Sequence, residues 1–205
     1  MSVPALTPQE PTLPLEFAQE EQALRISGFW MFLVTDVLIF ASLFASYAVY
    51  VGQVAMGPTP AQLFHLGPVM LETVLLLTSS FTAGLAIWQM RRGRTRWLAV
   101  WLVVTLLLGA GFVFTEVHEF VADVLAGAGW RTSAFLSAFF LLVSTHGAHV
   151  TFGILWALGL LAQVGRRGLN AVTRRKLYTF SLYWHFLDII WVFIFTAVYL
   201  AGKIA

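Results

Sequence analysis

Apolar residues run in five long blocks separated by short polar stretches. The blocks cover 28–51, 68–90, 97–121, 133–164 and 178–202. Each is long enough for a helix to cross the hydrocarbon layer, which takes roughly 20 residues. No sustained alternation of polar and apolar positions accompanies them, and a barrel would need it. No internal repeat is evident. The pattern predicts an all-α integral membrane protein with five transmembrane helices. The fourth block is the longest, so its helix should tilt or project beyond the bilayer.

The polar stretches between blocks are unequal in charge. The segment RRGRTR supplies Arg91, Arg92, Arg94 and Arg96, and 165–177 supplies Arg166, Arg167, Arg174, Arg175 and Lys176. By contrast, 52–67 has no Lys or Arg, and 122–132 has only Arg131. Cytoplasmic loops carry the excess of basic residues. The expected topology therefore has a cytoplasmic N-terminus and a periplasmic C-terminus. The arginines set topology and meet lipid headgroups; no nucleic-acid partner is expected. Trp30, Trp97, Trp130 and Tyr178 lie near block ends, where amphipathic rings anchor helices. Gly109, Ala110 and Gly111 suit close helix packing.

Residues 1–27 form a different segment. Pro4, Pro8, Pro11 and Pro14 interrupt helix there, and Glu10, Glu16, Glu20 and Glu21 make it acidic. No apolar core precedes Arg25, so it is not read as a secretory signal. A mostly disordered, acidic, Pro-rich tail is expected, with a short interfacial helix over 16–23. The membrane domain then spans 28–205.

Composition agrees with the blocks. Hydrophobic residues make up 59% of the 205 residues and charged residues 11%, and the mean hydropathy is +0.81. A soluble domain carries roughly 25% charged residues. With no cysteine, disulfides, thiolate metal sites and cysteine nucleophiles are excluded.

The informative residues are the ionisable ones inside the blocks. Asp36 lies in the first, Glu72 in the second, and Glu116, His118 and Glu119 in the third. The fourth holds His146 and His149 in THGAHV, and the fifth holds His185 and Asp188 in YWHFLDIIW. A charged acid at the membrane centre costs about 3 kcal/mol on insertion scales, so five facing lipid would cost on the order of 15 kcal/mol. Such groups must face inward, pair, or be neutral. Glu116 with Glu119, His146 with His149, and His185 with Asp188 are each three residues apart, on one helix face. Imidazole–carboxylate hydrogen bonds among the third, fourth and fifth helices are the economical expectation. Three readings stay open on these residues: a haem or metal site, a proton or substrate path, and interior hydrogen bonding that holds a bundle or binds lipid.

The runs GFWMFLVTDVLIFASLFASYAV, GPTPAQLF, LETVLLLTSS, EVHEF, SAFFLLVSTHGAHV and SLYWHFLDIIWVFIF, in this order, resemble subunit III of the haem–copper respiratory oxidases. The resemblance covers nearly all of 28–202 and is closer to the cytochrome bo-type ubiquinol oxidase branch. It implies a five-helix form without the two leading helices of many cytochrome c oxidase versions. It implies a subunit with no cofactor and no catalytic residue, packed on the catalytic subunit I beside subunits II and IV, with phospholipid in a cleft. Haem b, haem o and copper would belong to subunit I, which needs more histidine ligands than the five present here. The family's buried helix carboxylate falls on Asp36, an aspartate where cytochrome c oxidases have glutamate. Its HGxHV and WHFxD motifs fall on His146, His149, His185 and Asp188, and its paired acids on Glu116 and Glu119. Together with Glu72, these are the expected lipid-binding or buried polar positions.

The expected function is therefore an accessory one in the inner membrane of a bacterium. The complex would pump protons, oxidise ubiquinol and reduce O₂ to water, while this chain stabilises subunit I, binds lipid and supports proton uptake. Two alternatives remain: subunit III of a cytochrome c oxidase, and a small proton-coupled transporter.

Overall fold

A computed structural model describes residues 15–55, 57–64 and 66–204, with side chains from Ser27 onward. Among these residues every regular element is helical: α1 (Leu15–Tyr50), α2 (Pro60–Leu63), α3 (Leu66–Arg91), α4 (Thr95–Leu125), α5 (Ala134–Arg167) and α6 (Ala171–Ile194). A π-helical turn, Phe195–Leu200, and the short α7 (Ala201–Ile204) follow α6 without a break. Five segments are long and apolar enough to cross a membrane: Ser27–Tyr50, Leu66–Arg91, Thr95–Leu125, Ala134–Arg167 and Ala171–Ile204.

The chain divides within α1 into units of residues 1–37 and 38–205. In the first, the Phe29 and Phe32 rings lie 6.0 Å apart, and the Thr35 hydroxyl donates back to the Phe32 carbonyl at 2.6 Å. Residues 16–23 are helical as expected, but they continue into the first span rather than forming a separate helix. Residues 1–14, the rest of the expected tail, lie outside the described residues.

The second unit is a helical bundle whose core is aromatic. Trp184, Trp191, Tyr183, Phe112 and Phe135 are all buried. Its outer surface is apolar too, with Leu107, Phe114, Leu155 and Phe193 exposed. In a bilayer that surface costs nothing, because lipid tails are as apolar as the core. Polar side chains then supply specificity inside. The Trp184 indole N–H donates to Ser79 Oγ at 3.1 Å, and the Trp191 N–H to Thr73 Oγ1 at 3.1 Å. Thr82 and Thr105 hydroxyls meet at 2.8 Å, joining α3 to α4.

The α3–α4 connection turns at Gly93, whose φ of +71° is accessible to glycine and strained for other residues. Beside it the Arg92 guanidinium sits 3.7 Å over the Trp88 ring. Arg91 Nε donates to the Tyr178 hydroxyl at 3.0 Å, so the two arginine-rich connections lie at one end of the bundle. Ser133 caps α5 by accepting the Leu136 N–H at 3.1 Å. Asn170 caps α6 by accepting the Thr173 N–H at 2.7 Å.

That last cap changes a sequence expectation. The fifth span was placed at 178–202, but its helix begins at Ala171. Arg174, Arg175 and Lys176 are thus helical, in the first turns of α6. Cations there oppose the helix dipole by a few tenths of a kcal/mol each. The Asn170 cap, worth about 1 kcal/mol, and continuity with the apolar span outweigh that. The other four spans begin within two residues of the predicted blocks and end within four residues of their ends.

Candidate functional site

The eight singled-out residues fall into separate places. Asp36 belongs to the first unit and lies on α1 within the Ser27–Tyr50 span. The other seven lie in the second unit, in three groups.

His146 is completely buried on α5. Its ring stands edge-on to Phe112, centroids 5.6 Å apart, and 5.2 Å from Trp191. Its Nε2 lies 3.2 Å from the Leu187 carbonyl oxygen. A carbonyl only accepts, so Nε2 carries the proton there. The Nδ1 is buried and has no hydrogen-bond partner among the described residues. One turn on, His149 Nδ1–H donates to the Thr145 carbonyl at 2.7 Å, and the His149 carbonyl accepts the Tyr183 hydroxyl at 3.0 Å. Phe40 lies over this ring at 5.3 Å. These two imidazoles act as donors to backbone oxygen.

His185 faces a different side. Its Nδ1 is 2.6 Å from the Ser80 hydroxyl oxygen on α3. Asp188 sits one turn further along the same face of α6. The three line an open groove of about 390 Å³ with Leu77, Phe81 and Gly84. His185 and Asp188 are half-buried at mid-helix, whereas Ser80 is buried. Ser80 was not anticipated. The pair Ser79–Ser80 inside an apolar block is the signal, since intramembrane hydroxyls bridge helices.

Glu72 and Glu116 form the third group, with Glu119 a turn beyond. Glu72 is completely buried and Glu116 almost so. Gly147 makes the room for Glu116. A Cβ at that position would stand 2.5 Å from Glu116 Oε2, so a methyl there would push the carboxyl aside. The sequence made His146 and His149 conspicuous and hid the glycine between them.

The expected imidazole–carboxylate hydrogen bonds between the third, fourth and fifth spans are not made by His146 or His185. Their interhelical partners are the Leu187 carbonyl and the Ser80 hydroxyl. The physical reason is reach. His146 packs on the aromatic layer of Phe112 and Trp191, whereas Glu116 is turned into the gap at Gly147. Among the described residues, no group of three or more His, Asp or Glu side chains could hold a metal ion.

Five helices long and apolar enough to cross a membrane, with acids and imidazoles buried among those of the second unit, define a helical multi-pass membrane protein. The family model for cytochrome c oxidase subunit III matches residues 17–203, and the chain belongs to that family. It is 50% identical over 189 residues to "Quinol oxidase subunit 3" of Bacillus subtilis (strain 168), covering 92% of this chain and 93% of that protein. It is 46% identical over 189 residues to "Cytochrome bo(3) ubiquinol oxidase subunit 3" of Pseudomonas aeruginosa, covering 92% and 90%. It is also 45% identical over 194 residues to "Cytochrome c oxidase subunit 3" of Bacillus sp. (strain PS3), covering 95% and 94%.

Proposed function

We propose that this chain is the non-catalytic subunit III of a haem–copper quinol oxidase in the cytoplasmic membrane of a bacterium. The observation that carries this reading is end-to-end similarity, at 50% identity, to a quinol oxidase subunit 3. Relatives named for quinol and for cytochrome c differ by only a few per cent in identity to this chain. Subunit III therefore constrains the donor weakly, and ubiquinol is the donor we favour. Haem b, haem o and copper reside in subunit I, and subunits II and IV complete the assembly. The N-terminus is cytoplasmic and the C-terminus periplasmic. The clustering of Arg91 with Tyr178 supports this, because it brings both basic loops to one end.

Within the complex the chain braces subunit I and holds phospholipid. An apolar groove of about 700 Å³ between α4 and α5, lined by Val117, Phe120, Val124, Phe140 and Leu141, suits an acyl chain. Asp36 is the acid whose loss bears on lipid retention and sustained proton uptake. The half-buried His185 and Asp188, braced by the buried Ser80, give a helix of another subunit a hydrogen-bonding contact in mid-membrane.

The test is affinity purification through a tag on this chain, followed by reduced-minus-oxidised spectra and donor assays. Stoichiometric haem, with O₂ consumption driven by ubiquinol and not by reduced cytochrome c, is expected. A preparation without haem, or one that oxidises cytochrome c only, overturns the reading. Asp36→Ala is expected to leave the initial rate intact and shorten the number of turnovers before inactivation. An unchanged lifetime and lipid content would remove Asp36 from the account.

A further inference from the structure

Glu116, Glu119 and Asp123 lie on one face of α4, at intervals of three and four residues. They step from the core toward the end of the bundle opposite the arginine loops. Glu116 is buried, whereas Glu119 and Asp123 are half-buried. Glu72 enters from α3, within electrostatic reach of both Glu116 and Glu119. The π-helical turn brings Tyr199 into reach of all four acids. A cavity of about 200 Å³ completes the set, lined by Val69, His118, Glu119, Asp123, Phe139 and Tyr199.

Glu72 is 0% exposed and Glu116 4%. All four of their carboxyl oxygens are shut off from solvent and without a hydrogen-bond partner among the described residues. The Thr115 hydroxyl lies beside Glu72, but its single proton is directed to the carbonyls of Phe112 at 2.8 Å and Gly111 at 3.1 Å. From α5 the wall is Gly147, and its neighbour His146 is turned to the Leu187 carbonyl. Lys203, near this end of the bundle, donates to the Ala61 carbonyl at 2.7 Å. Neighbouring carboxylates in apolar surroundings without a cation repel each other and forfeit hydration, a cost of several kcal/mol per ion. Buried polar atoms without protein partners are met by water or by protons. A cavity of this size has room for several waters, at roughly 30 Å³ each.

We propose that Glu72, Glu116 and Glu119 form a hydrated proton-binding site that exchanges with the aqueous phase through the cavity at Asp123 and Tyr199. In loading, a cavity hydronium gives its proton to a carboxylate oxygen, leaving water and a neutral carboxyl; no other bond changes. Tyr199 and Glu119 line the cavity and lie within electrostatic reach of the inner pair, and the exposed His118 and half-buried Asp123 line it too. With the orientation proposed above, this site faces the periplasm and is separate from proton uptake on the cytoplasmic side. The site itself does not depend on the chain's being an oxidase subunit.

The experiment is infrared difference spectroscopy on the complex purified through this chain and held in lipid nanodiscs, with haem content measured on the same samples. Glu72→Gln and Glu116→Gln keep shape and neutrality, so the fold should survive. Each is expected to remove one carboxyl's intensity from the C=O stretch of protonated carboxyls, and that band should shift within minutes in D₂O. Gly147→Ala should shift the Glu116 component without removing it. A band untouched by either Gln variant overturns the proposal. So does a band blind to D₂O, which would mean sealed structural acids. A band that titrates with Na⁺ at fixed pH also overturns it, as a cation site. Haem content decides the oxidase reading independently of these outcomes.

Discussion

Trp184 offers the sharpest test of how the bundle is packed. Its ring passes between two glycines, Gly109 on α4 and Gly153 on α5, and its N–H reaches Ser79 on α3. In Gly153→Ala the new Cβ would stand 2.8 Å from Trp184 Cζ3, 3.0 Å from Cε3 and 3.3 Å from Tyr183 Cε1. Carbon atoms are comfortable at roughly 3.5–4.0 Å, so the ring must retreat by about 0.7 Å. The adjoining Cη2–Cζ2 edge leaves little room for that retreat. A Cβ on Gly109 would lie only 2.9 Å from Trp184 Cη2, so the ring already rests on the α4 backbone there. Overpacking of this kind costs about 1–3 kcal/mol, and straining the Ser79 hydrogen bond adds about 1 kcal/mol. The alanine returns up to about 1 kcal/mol of helix propensity. A net loss of about 1–3 kcal/mol is expected.

The assay is unfolding of the purified complex in mixed micelles by SDS titration, followed by Trp fluorescence. Gly159→Ala is the control, because a Cβ there meets nothing within 4 Å on the same helix. It should be neutral or slightly stabilising. Adding Trp184→Phe to Gly153→Ala should recover part of the loss, because the smaller ring gives up the contested atoms. Equal stability of Gly153→Ala and Gly159→Ala would refute the reasoning.

Other expectations follow from single contacts. Ser79→Ala and Thr73→Val each strand an indole N–H in the core, and each should cost about 1–3 kcal/mol in the same titration. His146→Phe keeps a ring in the aromatic slot and removes both the partnerless Nδ1 and the Nε2–H donor to the Leu187 carbonyl. It should cost less than about 1.5 kcal/mol and leave the haem spectrum of the complex unchanged; a spectral loss would revive a ligand role. The chain has no cysteine, so single cysteines at Gly93, Gly168 and Gly127 report topology cleanly. A membrane-impermeant maleimide applied outside intact cells should label only Gly127→Cys, and the reverse pattern would invert the proposed orientation.

The spans were legible because each must be apolar for about 20 residues regardless of its neighbours. The start of α6 was not, because Arg174, Arg175 and Lys176 look like loop when only hydropathy is read. The signal that finds it is Asn170, three residues before Thr173, as a cap. The buried ionisable groups were visible as types out of place, but their partners were not. Ser80 for His185 and the Leu187 carbonyl for His146 are set by helix rotation, which a single sequence leaves open. Gly147 was hidden for a further reason: its role is the volume it leaves to Glu116, and an absent side chain carries no chemical label.

The π-helical turn at Phe195–Leu200 works as a phase shifter. An α-helix advances about 100° per residue, and the wider turn holds one residue more than the α-helical path requires. Relaxing the turn to α-helix at unchanged length would rotate all that follows by about that angle. Gly202 would leave its seat against Phe64 and Pro60, and Lys203 would lose the Ala61 carbonyl. The end of the chain is thus keyed to the bundle by the wide turn, which absorbs one residue and keeps Gly202 and Lys203 in phase with their partners.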